Sequence, residues 1–86
     1  MKWDDVRNQY PECWVLVEAL QAHTDNNRRV LDKLDVVATF ADSVGALKSY
    51  STLHHATPNR ELYVFHTSRD HLDIEERQWL GVRVAG

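Results

Sequence analysis

Two runs rich in β-branched and aromatic residues, Cys13 to Leu20 and Val36 to Phe40, frame the polar stretch His23-Thr24-Asp25-Asn26-Asn27. Such side chains fit a pleated, half-buried surface, and Asn and Asp tolerate the left-handed backbone of tight turns. The arrangement predicts a β-hairpin around which the rest of the chain must pack. The first strand begins at Cys13. The second is read over Arg28 to Phe40, with Val30, Leu34, Val36, Ala38 and Phe40 on one side of an extended strand and Asp32 breaking the pattern. A bulge or irregular chain is therefore expected near Asp32, where Val30, Leu31 and Leu34 also fit a helical turn.

Ahead of the hairpin, Trp3, Val6 and Tyr10 recur at i, i+3 and i+7, and Asp4 and Asp5 suit the positive end of a helix dipole. Pro11 ends this short helix. Two turns are unstable alone, so Trp3 should dock on the body of the protein. After the hairpin, Asp42 or Ser43 can cap a helix reaching Ala56, and Pro58 forces its end. Its sheet-facing stripe is expected to be Val44, Leu47, Tyr50 or Ser51, and His54, widened by Ala46, Tyr50 and Leu53. Leu62 to His66 reads as a third strand and Trp79 to Val84 as a fourth. Between them, Ser68 to Asp73 forms a loop or a single helical turn anchored by Leu72 and Ile74.

The expected fold is α+β: a short N-terminal helix, then ββαββ, with a mainly antiparallel four-stranded sheet covered on one face by one helix. The strand order would be 2, 1, 3, 4. The second face would be covered by solvent-tolerant residues, by Trp3 and its helix, or by a partner chain.

At 86 residues there is room for one domain, 1–86, in which a single hydrophobic core is marginal. The net charge of −3 and the scattered basic residues argue against nucleic-acid binding, which uses a concentrated cationic face. No apolar run approaches the length of a membrane span, and the start Met1-Lys2-Trp3-Asp4-Asp5 lacks the features of a signal peptide. A single cysteine, Cys13, cannot form an internal disulfide and fits a reducing compartment, so a cytoplasmic location is expected.

The densest polar cluster is His66, Thr67, Ser68, Arg69, Asp70 and His71. It holds a hydroxyl, two imidazoles and a carboxylate, the ingredients of a nucleophile and base. Sequence neighbours rarely converge as a triad, however, and no Gly-x-Ser-x-Gly elbow is present. The ordinary reading is that Ser68 caps a turn, His66 ends a strand, and Arg69 pairs with Asp70 or Asp73. His54 and His55 point about 100° apart on a helix and cannot readily share a metal ion. No His-Glu-x-x-His or paired-Cys motif helps them, so no metal and no cofactor is assigned. Asp73, Glu75 and Glu76 read as a solvated acidic loop, and Cys13 as a small core residue.

Trp14-Val15-Leu16-Val17-Glu18-Ala19, the helix opened by Asp42-Ser43, Glu61 to Arg69, and Trp79-Leu80-Gly81-Val82-Arg83 together resemble a group of small uncharacterised bacterial proteins. The order strand, strand, helix, strand is also similar to small ββαβ domains of unknown function. The resemblance implies no activity. It points to an accessory or regulatory, antitoxin-like partner of an adjacent gene product such as a small retropepsin-like aspartic protease. From the residues themselves, aromatic and β-branched side chains outnumber any defined chemical site. That balance favours a non-enzymatic interaction module, binding an unknown protein partner or forming a homodimer through a sheet face or strand edge. Trp14, Tyr63 and Trp79 are its candidate anchors, within an exposed apolar patch expected to include Trp14, Tyr63, Phe65 or Trp79. The competing expectation is a small ligand-binding protein or enzyme using His66, Ser68, Arg69 and His71.

Overall fold

The computed structural model describes residues 1–72 and 74. Within them the chain runs α1 (Trp3–Gln9), β1 (Trp14–Asp25), β2 (Arg28–Phe40), α2 (Ser43–Ala56) and β3 (Leu62–His66). The sheet is antiparallel and three-stranded in the order β2-β1-β3. This corrects the expected four-stranded sheet and the ββαββ arrangement after the first helix: among the described residues the order is αββαβ, with a three-stranded sheet. The segment Trp79 to Val84, expected as a fourth strand, lies outside the described residues. Among the described residues, no helix is long and apolar enough to cross a membrane.

The hairpin is longer and tighter than its hydrophobic runs suggest. Asp25 pairs with Arg28, which leaves Asn26 and Asn27 as the whole loop, at φ 53° and 64°. Positive φ at both central residues is the geometry whose twist matches that of the flanking strands, and Asn adopts it at little cost. The pairing register slips in three places. Val37 and Asp32 are the extra residues on β2, and Leu20 is the extra residue on β1. The irregularity expected at Asp32 is therefore a bulge, accompanied by two more.

Bulges change which side of the sheet a residue faces, because each inserted residue shifts the two-residue alternation by one. Leu34 and Val36 consequently join Val15, Val17 and Phe65 on one face, with Leu31 packed beside them. Val30, expected in that row, is exposed. Ala38 and Phe40, beyond the bulge at Val37, belong to the opposite face, where Phe40 approaches Gly45 of α2. The inserted Leu20 and Val37 are themselves exposed.

Both faces of the sheet are covered. On the first, α1 lays Trp3 and Val6 against Val15, Val17, Leu34 and Phe65, and Leu72 and Ile74 pack around this cluster. The Trp3 ring meets Phe65 edge-on at 5.5 Å, and its Nε1 donates to the Arg69 carbonyl at 2.8 Å. Trp3 and its helix are thus the cover for the face opposite α2. On the other face, Leu16 and Leu62 are buried beneath α2 and its Ala46. Each fully buried aliphatic side chain contributes about 1.5–3 kcal/mol, so Val6, Val15, Leu16, Val17 and Leu34 dominate the stability.

The Asp42 side chain accepts the Gly45 N–H at 2.8 Å and caps α2. The helix is turned differently from the expected stripe. Ala46 is buried and Tyr50 and Leu53 are half-buried, whereas Val44 is 69% and Leu47 54% exposed. The small residues Gly45, Ala46 and Ser49 explain the rotation, since they let the helix backbone come close to the sheet where larger side chains would hold it off. A Cβ on Gly45 would lie 3.6 Å from the Phe40 ring.

Candidate functional site

The polar segment after β3 is built largely into the scaffold. Thr67 is buried; its N–H donates to Cys13 O at 2.9 Å, and its Oγ1 accepts the Cys13 N–H at 3.0 Å. Arg7 of α1 donates through Nε to the Thr67 carbonyl and through Nη2 to Asp70 at 2.9 Å. These bonds clamp the start of the loop against α1.

His66 and Ser68 do meet. Ser68 Oγ lies 2.8 Å from His66 Nδ1, and the Ser68 N–H donates to the same nitrogen at 3.1 Å. The imidazole also stands edge-on to the Trp14 ring at 5.1 Å. With Nδ1 accepting a backbone N–H, the pair forms a local turn brace. Arg69 is turned elsewhere: its guanidinium lies 5.6 Å from the centroid of the Phe65 ring, a cation–π contact. His71 lines an open cleft of about 430 Å³ with Lys2, Asp4, Arg28, Leu31 and Asp70, which none of His66, Ser68 and Arg69 borders. Of the four polar candidates, only His71 borders this cleft. Among the described residues no three His, Cys, Asp or Glu side chains group to hold a metal ion. Trp79 lies outside the described residues.

Tyr63 belongs to a network that sequence reading missed. Its hydroxyl donates to Glu61 Oε2 at 2.6 Å, and Arg29 grips the same carboxylate through Nε at 2.8 Å and Nη2 at 2.9 Å. The Arg29 hydrogen bonds hold the Glu61 carboxyl below its usual range against the opposing effect of burial, with Tyr63 helping. Burial, followed by the Glu61 hydrogen bond and charge, raises Tyr63. Nearby, Arg60 donates to Glu18 at 2.6 Å, which lowers the Glu18 carboxyl and raises Arg60. Both acids bordering β3 are thus matched by arginines. Arg29 and Glu61 are 32 residues apart, so no local pattern announces the pair.

The two edges of the sheet differ. At the outer side of β2, Leu34 exchanges two hydrogen bonds with Met1, at 2.7 and 2.9 Å, and Arg29 N–H donates to Ile74 O at 2.9 Å. This edge is also interrupted by bulges and carries Arg28, Arg29, Asp32, Lys33 and Asp35. At β3 the bonds Ala19 N–H to Glu61 O and Thr67 N–H to Cys13 O fix the alternation. Odd-numbered residues bond inward to β1, so Leu62, Val64 and His66 aim their backbone groups outward. Of these, His66 O accepts the Arg69 N–H. The strand Leu-Tyr-Val-Phe-His has no Lys, Asp, Glu or Pro and no bulge against β1, the usual devices that blunt an edge. Beside it, Leu47 and Tyr50 of α2 with Leu62, Tyr63 and Val64 line an apolar groove of about 220 Å³. The exposure of Leu47 follows from the rotation of α2.

No protein-family model matches the chain, and no curated protein or solved structure matches it.

Proposed function

We propose that this protein is an interaction module that takes an extended segment of another polypeptide onto the outer edge of β3. The observation that carries the reading is the contrast between the sheet edges. The β2 edge is bonded by Met1 and Ile74 and is rich in charge, while β3 is uncharged and, among the described residues, bounds the sheet beside an apolar groove. An added strand would pair with the backbone of Leu62 and Val64, and its alternate side chains would meet Leu47 and Tyr50. Main-chain bonds supply affinity in this mode of recognition and the groove supplies selectivity.

Selection of random displayed octapeptides on the immobilised protein tests the reading. Val64→Pro is the discriminating variant. The Val64 N–H points away from β1, so proline there removes a donor for an incoming strand without removing one of the sheet's own bonds. Binders that enrich on the wild type and are lost on folded Val64→Pro support edge docking. Binders indifferent to Val64→Pro, or no enrichment at all, would refute it.

A further inference from the structure

We infer that the segment accepted by β3 is acidic, with a carboxylate that pairs with Arg69; the inference rests on the docking reading above and names its partner chemistry. Arg69 lies just beyond the end of the strand. It is exposed and, among the described residues, makes no ion pair. Its backbone is held by two bonds, N–H to His66 O at 3.1 Å and carbonyl from Trp3 Nε1 at 2.8 Å, and its guanidinium rests over the Phe65 ring. The cation is therefore pre-positioned.

Three of the described acids near β3 are already engaged by other groups. Glu61 is gripped by Arg29 and Tyr63, Glu18 by Arg60, and Asp70 by Arg7. Although the chain carries −3 overall, Arg69 stands beyond this strand as an exposed cation with no ion pair among the described residues. The groove beside β3 adds the second requirement, apolar side chains at alternate positions of the incoming strand.

A second copy of the chain fits poorly. If two β3 strands paired antiparallel about Val64, Asn59 of one copy would face Arg69 of the other, with Arg60 rather than a carboxylate as its neighbour in the chain. Charge complementarity therefore selects an acidic, extended segment of a different protein.

Two synthetic peptides provide the test, acetyl-Asp-Val-Thr-Val-Thr-Val-Asp-amide and the same sequence with Lys at both ends. They share the apolar alternation, and carrying the charge at both ends leaves either strand direction open. Titrated by calorimetry at low salt, the acidic peptide should bind about tenfold more tightly, the weight of one charge-assisted hydrogen-bond pair. Arg69→Gln should erase that preference, and Val64→Pro should abolish binding of both. Equal binding of the two peptides, still lost in Val64→Pro, would overturn the acidic partner and leave edge docking standing. A dimer by light scattering that Val64→Pro dissociates, with neither peptide bound, would make a second copy the occupant and overturn the inference. Neither peptide binding and no such dimer would remove both the inference and the docking reading.

Discussion

Glu61→Gln removes the charge from a carboxylate that accepts three hydrogen bonds while keeping its shape. In the native protein, Arg29 Nε, Arg29 Nη2 and Tyr63 Oη reach it at 2.8, 2.9 and 2.6 Å. A glutamine has one acceptor oxygen and turns an NH₂ toward donors, so at least one charge-assisted bond is lost. Such a bond contributes about 1.5–3 kcal/mol. The side chains of Arg29 and Glu61 are 27% and 30% exposed, which tempers the penalty below that of a fully buried pair. A loss of about 2 kcal/mol at pH 7 is expected. The pH dependence identifies the cause. Because the folded Glu61 carboxyl is held below its unfolded value, its contribution is fully present above that unfolded value and is lost as pH falls through the lower folded value. The gap between wild type and Glu61→Gln should therefore narrow as pH is lowered from 7 toward 3. Urea unfolding at a series of pH values measures it. A gap that stays constant across the series would show that charge on Glu61 contributes nothing and refute the reasoning.

Thr67→Val keeps the volume of a buried residue but leaves the Cys13 N–H without its acceptor, and should cost about 1–3 kcal/mol in urea unfolding. A variant as stable as wild type would mean that this bond does not hold the β3 end to β1. Gly45→Ala should raise stability by up to about 1 kcal/mol through helix propensity, since the added methyl meets Phe40 and Asp42 at ordinary contact distances. Thermal unfolding checks this, and a lower midpoint would mean that α2 sits closer to the sheet than described.

The parts of the fold that were legible in the sequence depend on local chemistry. Asn26 and Asn27 mark the turn, Asp42 marks the start of α2, and Leu62 to His66 has the residues of a strand and forms one. The misread parts depend on parity and on neighbours. Bulges at Leu20, Asp32 and Val37 reassign side chains to opposite faces, and a strict alternation cannot register them. The polar end of β1, Gln21 to Asp25, is strand because β2 pairs with it, although little of it is buried. The facing of α2 was set by its small residues rather than by its largest ones. For the candidate site, the cluster His66 to His71 was visible, but its division between a turn brace, a cation–π contact and a separate cleft is tertiary. The lack of charge between Leu62 and His66 was the available signal for the edge, and it acquires meaning only once β3 is known to lie at one.

The central position of β1 has a further consequence for how the chain assembles. Its hairpin partner β2 follows directly, so that pairing closes a two-residue loop and should form early. Yet Val15 and Val17 meet Phe65, and Leu16 lies opposite Val64, about fifty residues further along. An emerging polypeptide therefore carries its most apolar strand with one side unpartnered until β3 has been made, and the slow step of folding should be the arrival of that last strand rather than the nucleation of the hairpin.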